Sequence, residues 1–133
     1  MKLTTKSEYS ILALIHIARF QGEGNVTVDE ICSRYQIPPK YLEQLLTTLK
    51  QNGLIKAKRG AGGGYRLAKP ASQIDLARIV RIFDGALAPT DSASKYFFAH
   101  TPLEQEKKVL KVMLEIRDLV ANRLEKLKLT DLI

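Results

Sequence analysis

A chain of 133 residues, 45% of them hydrophobic, has the apolar content for one domain with a packed core, which excludes a disordered chain. Its net charge of +7 is uneven: residues 1–69 hold 11 Lys and Arg against 5 Asp and Glu, whereas residues 70–133 hold 10 against 9. No apolar run approaches the roughly 20 residues that span a bilayer, the opening Met1–Lys6 is too polar for a secretory signal, and the single cysteine, Cys32, excludes an intrachain disulfide framework, so a cytoplasmic chain is expected.

The first predicted helix covers residues 6–20. Thr5 and Glu8 have capping-box spacing, and Tyr9, Ile11, Leu12, Leu14, Ile15, Ile17 and Ala18 make a broad apolar face. Gln21-Gly-Glu-Gly24 ends it. Thr27 and Glu30 form a second capping box for a short helix over 28–35, with Val28, Ile31, Cys32 and Tyr35 on one face. Gln36-Ile-Pro-Pro39 breaks that helix and starts a third, over 39–52, whose buried stripe is Leu42, Leu45, Leu46 and Leu49. Lys40, Tyr41, Glu43, Gln44, Thr47 and Thr48 are left on its other faces, and Gly53 stops it. Two short helices joined by a proline-containing turn give a helix-turn-helix.

Leu54–Lys58 and Tyr65–Leu67 read as short strands around Arg59-Gly-Ala-Gly-Gly-Gly64, a β-hairpin. Helices followed by a hairpin predict a mainly α fold with one small hairpin, the winged-helix arrangement. A fourth helix fits 74–84. Residues 85–100 lack periodicity and read as a loop. Thr101 and Glu104 form a third capping box, with Pro102 at the first helical position, for a long helix to about 128. On it Val109, Met113, Ile116, Val120 and Leu127 follow an a/d-like spacing, which Leu110, Leu114, Leu119 and Leu124 widen. A second copy of the chain is the expected cover for that face, the other possibility being its own core. Residues 1–70 are thus expected to form the DNA-binding region, and 71–133 a helix, a loop and a dimerisation helix.

The glycine run admits three readings. A phosphate cradle needs a Lys-Ser/Thr ending and a following helix, and neither is present. A plain hairpin tip and a DNA-contacting wing remain. The wing is favoured because Lys56, Lys58, Arg59, Gly60 and Arg66 place charge and backbone freedom at the tip. On the third helix Lys40, Glu43 and Gln44 are the groups that can read guanine, cytosine and adenine edges. Basic charge in this half suits a duplex partner, although charge alone would also suit a merely soluble surface.

Catalysis finds no constellation. His16 lies along an apolar helix and reads as a core or boundary histidine. His100 has no second ligand at metal spacing, and Cys32 reads as a small core residue. No metal, cofactor or enzymatic role is expected.

Five segments resemble the Rrf-two family of bacterial winged-helix regulators: Met1-Lys-Leu-Thr-Thr-Lys-Ser-Glu-Tyr9, Tyr41-Leu-Glu-Gln-Leu45, Leu49-Lys-Gln-Asn-Gly-Leu54, Arg59-Gly-Ala-Gly-Gly-Gly-Tyr65 and Leu129-Thr-Asp-Leu-Ile133. The resemblance implies a homodimer formed through the long helix, with Leu110, Met113, Leu114, Ile116, Val120 and Leu124 at its interface. It implies binding to a roughly palindromic operator, base reading around Tyr41, Glu43 and Gln44, and minor-groove contact by Arg59. Pro38 and Lys40 stand where relatives often have DNA-contacting serines. Cluster-binding members carry three cysteines in the segment matching residues 90–107, where this chain has none, so it resembles the clusterless branch. Some members of that branch answer to a small effector or a partner protein. Tyr96, Phe97 and Phe98 could line an effector pocket or pack the dimer, and packing is the expectation. The alternative function is a protein-interaction module whose DNA binding is weak or lost. A third reading is a metal or redox sensor built on Cys32 or His100.

Overall fold

The computed structural model describes residues 1–133. Its helices are α1 (Thr5–Phe20), α2 (Val28–Tyr35), α3 (Pro39–Gln51), α4 (Leu76–Asp84) and α5 (Lys107–Lys126), with the antiparallel strands β1 (Ile55–Lys58) and β2 (Gly64–Leu67) between α3 and α4. This is the expected winged helix with an added C-terminal helix.

One core serves most of the chain. Ala13, Leu14 and Ile17 of α1 meet Ile31 of α2 and Leu42, Leu46 and Leu49 of α3, all without exposed surface. Each buried leucine of α3 contributes on the order of 2 kcal/mol of transfer free energy, so the leucine stripe fixes which face α3 turns outward. Ile74, Ile79 and Leu129 close the same core from the second half of the chain.

α1 begins differently from its signature. Thr5 and Glu8 form no capping box, and Thr4 precedes the helix without capping it. The Thr4 amide instead donates to Asp84 Oδ2 at 2.9 Å, and its hydroxyl donates to Asp84 Oδ1. These charge-assisted bonds tie the start of α1 to the end of α4 and hold Thr4 as the residue before the helix, which places Thr5 inside the first turn where it does not cap. At α2 the expected cap forms in half: the Glu30 amide donates to Thr27 Oγ1 at 3.2 Å, while the Glu30 carboxylate lies 3.9 Å from His16. The turn into α3 uses Gln36 in the left-handed region at φ 58°, and Pro39 opens α3.

The glycines now have separate reasons. Gly60 and Gly62 adopt φ of +84° and +70°, which an L side chain rarely takes. Gly64 lies so close to Val26 that a Cβ would sit 2.6 Å from the Val26 carbonyl oxygen. That approach lets Val26 pair with Tyr65 in both directions, at 2.9 and 2.7 Å, so the α1–α2 connection adds a third strand-like edge to the hairpin.

The second half departs most from expectation. α4 starts at Leu76 rather than 74, because Asp75 caps it by accepting from the Arg78 amide at 2.8 Å. The expected helix over 101–128 is divided. Thr101 and Glu104 do pair, with the Thr101 amide donating to Glu104 Oε2 at 3.1 Å, but they close a 3₁₀ turn over Pro102–Gln105. Glu106 is then non-helical, at φ −109° and ψ 85°. α5 proper is 20 residues, about 30 Å long. Beyond it, Lys128 bridges to Asp75, Leu129 is fully buried, and Arg19 donates to the Leu132 carbonyl at 3.1 Å. The helix therefore returns to its own core at its C-terminal end, while Val109, Val112, Ile116 and Leu119 stay exposed, Leu119 at 73%.

Candidate nucleic-acid interface

The polar face of α3 is positioned by its leucines. Lys40, Glu43, Gln44 and Thr47 are all exposed. The Thr47 hydroxyl donates to the Glu43 carbonyl at 2.9 Å, so its oxygen is partly committed to the helix itself. Tyr41 is half-buried, its ring edge-on to Tyr9 with centroids 5.8 Å apart. Tyr41 therefore braces α3 against α1 and leaves only its outer edge to solvent. No side chain caps the start of α3. Pro38, Pro39 and Lys40 are exposed there, Pro39 brings no N–H, and the Leu42 amide is bonded to the Pro38 carbonyl, so the Lys40 and Tyr41 amides and the positive end of the helix dipole are what this end of α3 offers an anion.

α3 passes through Gly53 and Leu54 straight into the wing. In the hairpin Ile55 pairs with Leu67, Lys56 with Arg66 and Lys58 with Gly64. Lys56, Lys58, Arg59 and Gly60 are exposed, and Asn25, Lys56, Lys58 and Arg66 line a groove of about 310 Å³ beside the strand.

Arg66 behaves unlike its basic neighbours. It is half-buried, and its Nε donates to Asn25 Oδ1 at 2.7 Å, with a longer bond to the Gln21 carbonyl at 3.5 Å. Gln21 in turn accepts from the Leu67 amide at 2.8 Å, and Asn25 Nδ2 donates to the Gly62 carbonyl at 2.9 Å. The wing is thus fastened to the α1–α2 connection by Gln21, Asn25 and Val26. None of these stood out in the sequence, since their partners lie 37 to 46 residues away and no periodicity links them.

The remaining candidates separate from this surface. Burial pushes the Cys32 thiol above its ordinary value, and the carboxylates of Asp29 and Glu43 add to that, which disfavours a reactive thiolate. Burial lowers the His16 pKa, against the pull of Glu30 and with the help of Arg34 and Arg19, and its ring packs 4.6 Å from Phe20. His100 pairs with Glu104 at 3.0 Å. Nowhere do three His, Cys, Asp or Glu side chains come together as metal ligands.

The loop after α4 is pinned to α5 by Arg117, which donates to the Ala93 carbonyl at 3.1 Å. Arg81 pairs with Glu125 at 2.8 Å and lies over the Tyr96 ring at 4.8 Å. The cavity these residues enclose with Phe97 is about 50 Å³, room for a few waters only. Tyr96, Phe97 and Phe98 remain about half exposed or more. On α5, Leu110, Met113, Leu114 and Val120 are half-buried and Ile116 is exposed, whereas Leu124 packs on the core of its own chain.

The model of the Rrf2 family, described as an iron-dependent transcriptional regulator, matches residues 3–133. The chain belongs to the Rrf2 family. Its relatives include the regulator IscR of Cereibacter sphaeroides, 45% identical over 82 residues that cover 60% of this chain and 53% of that one. IscR of Photorhabdus laumondii is 40% identical over 90 residues, covering 68% and 55%. The chain thus matches little more than half the length of these relatives. Among solved structures, CymR, the global cysteine regulator of B. subtilis, is 31% identical with a TM-score of 0.78, covering 99% of this chain and 95% of that one. T. potens IscR, also 31% identical, has a TM-score of 0.71, covering 99% and 85%. These Rrf2 proteins are transcriptional regulators and not enzymes. No helix of the chain is long and apolar enough to cross a membrane.

Proposed function

We propose that the chain is a homodimeric DNA-binding regulator, a repressor of transcription, that recognises a roughly palindromic operator without an iron–sulfur cluster. The observation that carries the reading is the continuous surface of α3 and the wing. An uncapped helix start and exposed Lys40, Glu43 and Gln44 lead through Gly53 to Lys56, Lys58 and Arg59. In this reading Glu43 and Gln44 meet base edges in the major groove, the α3 amides and Lys40 meet phosphates, and Arg59 enters the minor groove. Tyr41 and Thr47 contribute at the edge of the same face, and the Arg66 charge supports the wing from its root.

Iron does not suit the donor set of this chain. The family description names it, yet residues 86–108 contain no cysteine, and the only candidate ligands there that pair are His100 and Glu104. The exposed stripe Val109, Val112, Ile116 and Leu119 supports α5 as the dimer contact, with Leu110, Met113, Leu114 and Val120 at its margins.

Fluorescence anisotropy with duplexes from the promoter of its own operon tests the reading. Binding is expected to weaken with salt, and Arg59→Ala to weaken it on every sequence. Gln44→Ala should cost ~1–3 kcal/mol at particular base pairs and relax discrimination there. Binding that ignores both salt and Arg59 would reject the proposal. The exposed aromatic run Tyr96–Phe98 favours a second reading, a surface for a partner protein. A stoichiometric complex in a protein with no DNA affinity would select it.

A further inference from the structure

We infer that Asn25 is a positioning residue for DNA recognition: it sets the shape of the wing tip and thereby aims Arg59. The inference rests on the reading of the wing as a minor-groove element.

The tip, Arg59 to Gly63, has few restraints. Gly60 and Gly62 have no atom within 4 Å of a would-be Cβ, so nothing packs against that side of either residue. The turn is closed locally by the Gly63 amide, which donates to the Gly60 carbonyl at 2.9 Å. Asn25 provides the one side-chain bond that reaches the tip from the body of the protein, through Nδ2 to the Gly62 carbonyl at 2.9 Å. Its other end accepts from Arg66 Nε at 2.7 Å. The orientation of the amide is unambiguous, because a guanidinium only donates and a carbonyl only accepts. One side chain therefore joins the tip of the wing to its second strand.

Asn25 is itself held rigidly. The next residue, Val26, exchanges two backbone bonds with Tyr65, and Gly64 lets this segment approach to where any Cβ would meet Asn25 and Val26 backbone at 3.2 Å or less. Thr27 then caps α2. A fixed amide placed three residues from Arg59 limits the directions that a glycine-rich tip can explore. Preorganisation of this kind increases affinity by lowering the ordering cost on binding.

The test is a double-mutant cycle on the full-length protein. Asn25→Ala is measured with Arg59 present and in an Arg59→Ala background, by anisotropy on a labelled duplex carrying the strongest site selected from genomic fragments. Asn25→Asp is measured in the same way. It keeps the acceptor for Arg66 but loses the donor to Gly62, and the cycle removes the part of its added charge's effect that does not involve Arg59. Circular dichroism at the assay temperature confirms that each variant is folded. Asn25→Ala is expected to weaken binding about tenfold with Arg59 present and less than about twofold without it. Equal weakening in both backgrounds would mean a general structural role and would overturn the inference, as would no weakening in either variant. If Arg59→Ala alone binds like the parent, the wing reading falls and this inference with it. If Arg59→Ala weakens binding while the Asn25 variants do not, only this inference falls.

Discussion

Gly64 is the one glycine at which a positive φ coincides with a close backbone contact, so Gly64→Ala meets both penalties at once. The residue sits at φ +140°, and the new Cβ would lie 2.6 Å from the Val26 carbonyl oxygen and 2.9 Å from its carbon. Both contacts are with backbone, so no side-chain rotation relieves them. Relief requires the α1–α2 connection to move off β2, which breaks the two Val26–Tyr65 bonds of 2.9 and 2.7 Å. Two backbone bonds contribute about 1 kcal/mol net each. Residual strain at the unusual φ adds about 1–2 kcal/mol, and the stiffer unfolded chain returns about 0.5–1 kcal/mol. The net expectation is a loss of about 2–3.5 kcal/mol, a large share of the roughly 5–15 kcal/mol typical of a domain. Urea unfolding followed by circular dichroism reads it directly. Gly22→Ala is the internal control, because Gly22 has no left-handed φ and no atom within 4 Å. Gly62→Ala, at φ +70° in open space, should fall between them at about 1–2 kcal/mol. A Gly64→Ala midpoint equal to that of Gly22→Ala would refute the close-approach argument.

Other changes probe the second half of the molecule. Leu129→Ala removes a fully buried side chain from the main core and should cost about 2–5 kcal/mol in the same urea assay. Burial alone would raise the Asp84 carboxyl, but the hydroxyl and amide of Thr4, with the charge of Lys6 nearby, hold it below its ordinary value of 3.8. Its contribution to stability is therefore present above that value and lost as pH falls through the folded one. Asp84→Asn should cost about 1–2 kcal/mol at neutral pH, and the gap to the parent should close in strongly acidic urea titrations. Leu119→Glu, on the exposed stripe of α5, should convert a dimer to a monomer in sedimentation equilibrium without lowering the urea midpoint of the monomer.

The sequence made the first half legible because its signals are local. The leucines of α3 repeat at helical spacing, the Pro38-Pro39 pair marks a boundary, and the glycine run has no helix after it. Signals failed where a distant group competed with a local one. Asp84, 80 residues away in sequence, holds Thr4 as the residue before α1, so Thr5 falls inside the helix instead of capping it. Thr101 and Glu104 paired as expected, yet served a 3₁₀ turn, since nothing in their spacing says how many helical residues follow. The same limit hid Asn25 and Gln21, whose importance comes from strands brought beside them by folding. Arg66 counted as one more positive charge in the sequence, and its bonds to Asn25 and the Gln21 carbonyl give it a different duty.

Leu129, fully buried just beyond α5, anchors the end of that helix in the main core. Together with the Lys128–Asp75 bridge, it sets the bearing of α5 relative to α3 within a single chain. In a two-fold pair joined through α5, the distance and rotational phase between the two α3 helices would follow from that bearing. A residue inserted between Leu119 and Leu124 would turn the pairing face by about 100° relative to the core. The two α3 helices would then meet the duplex out of step with its helical repeat. The spacing of the half-sites bound by such a pair would be a dimension measured inside the monomer.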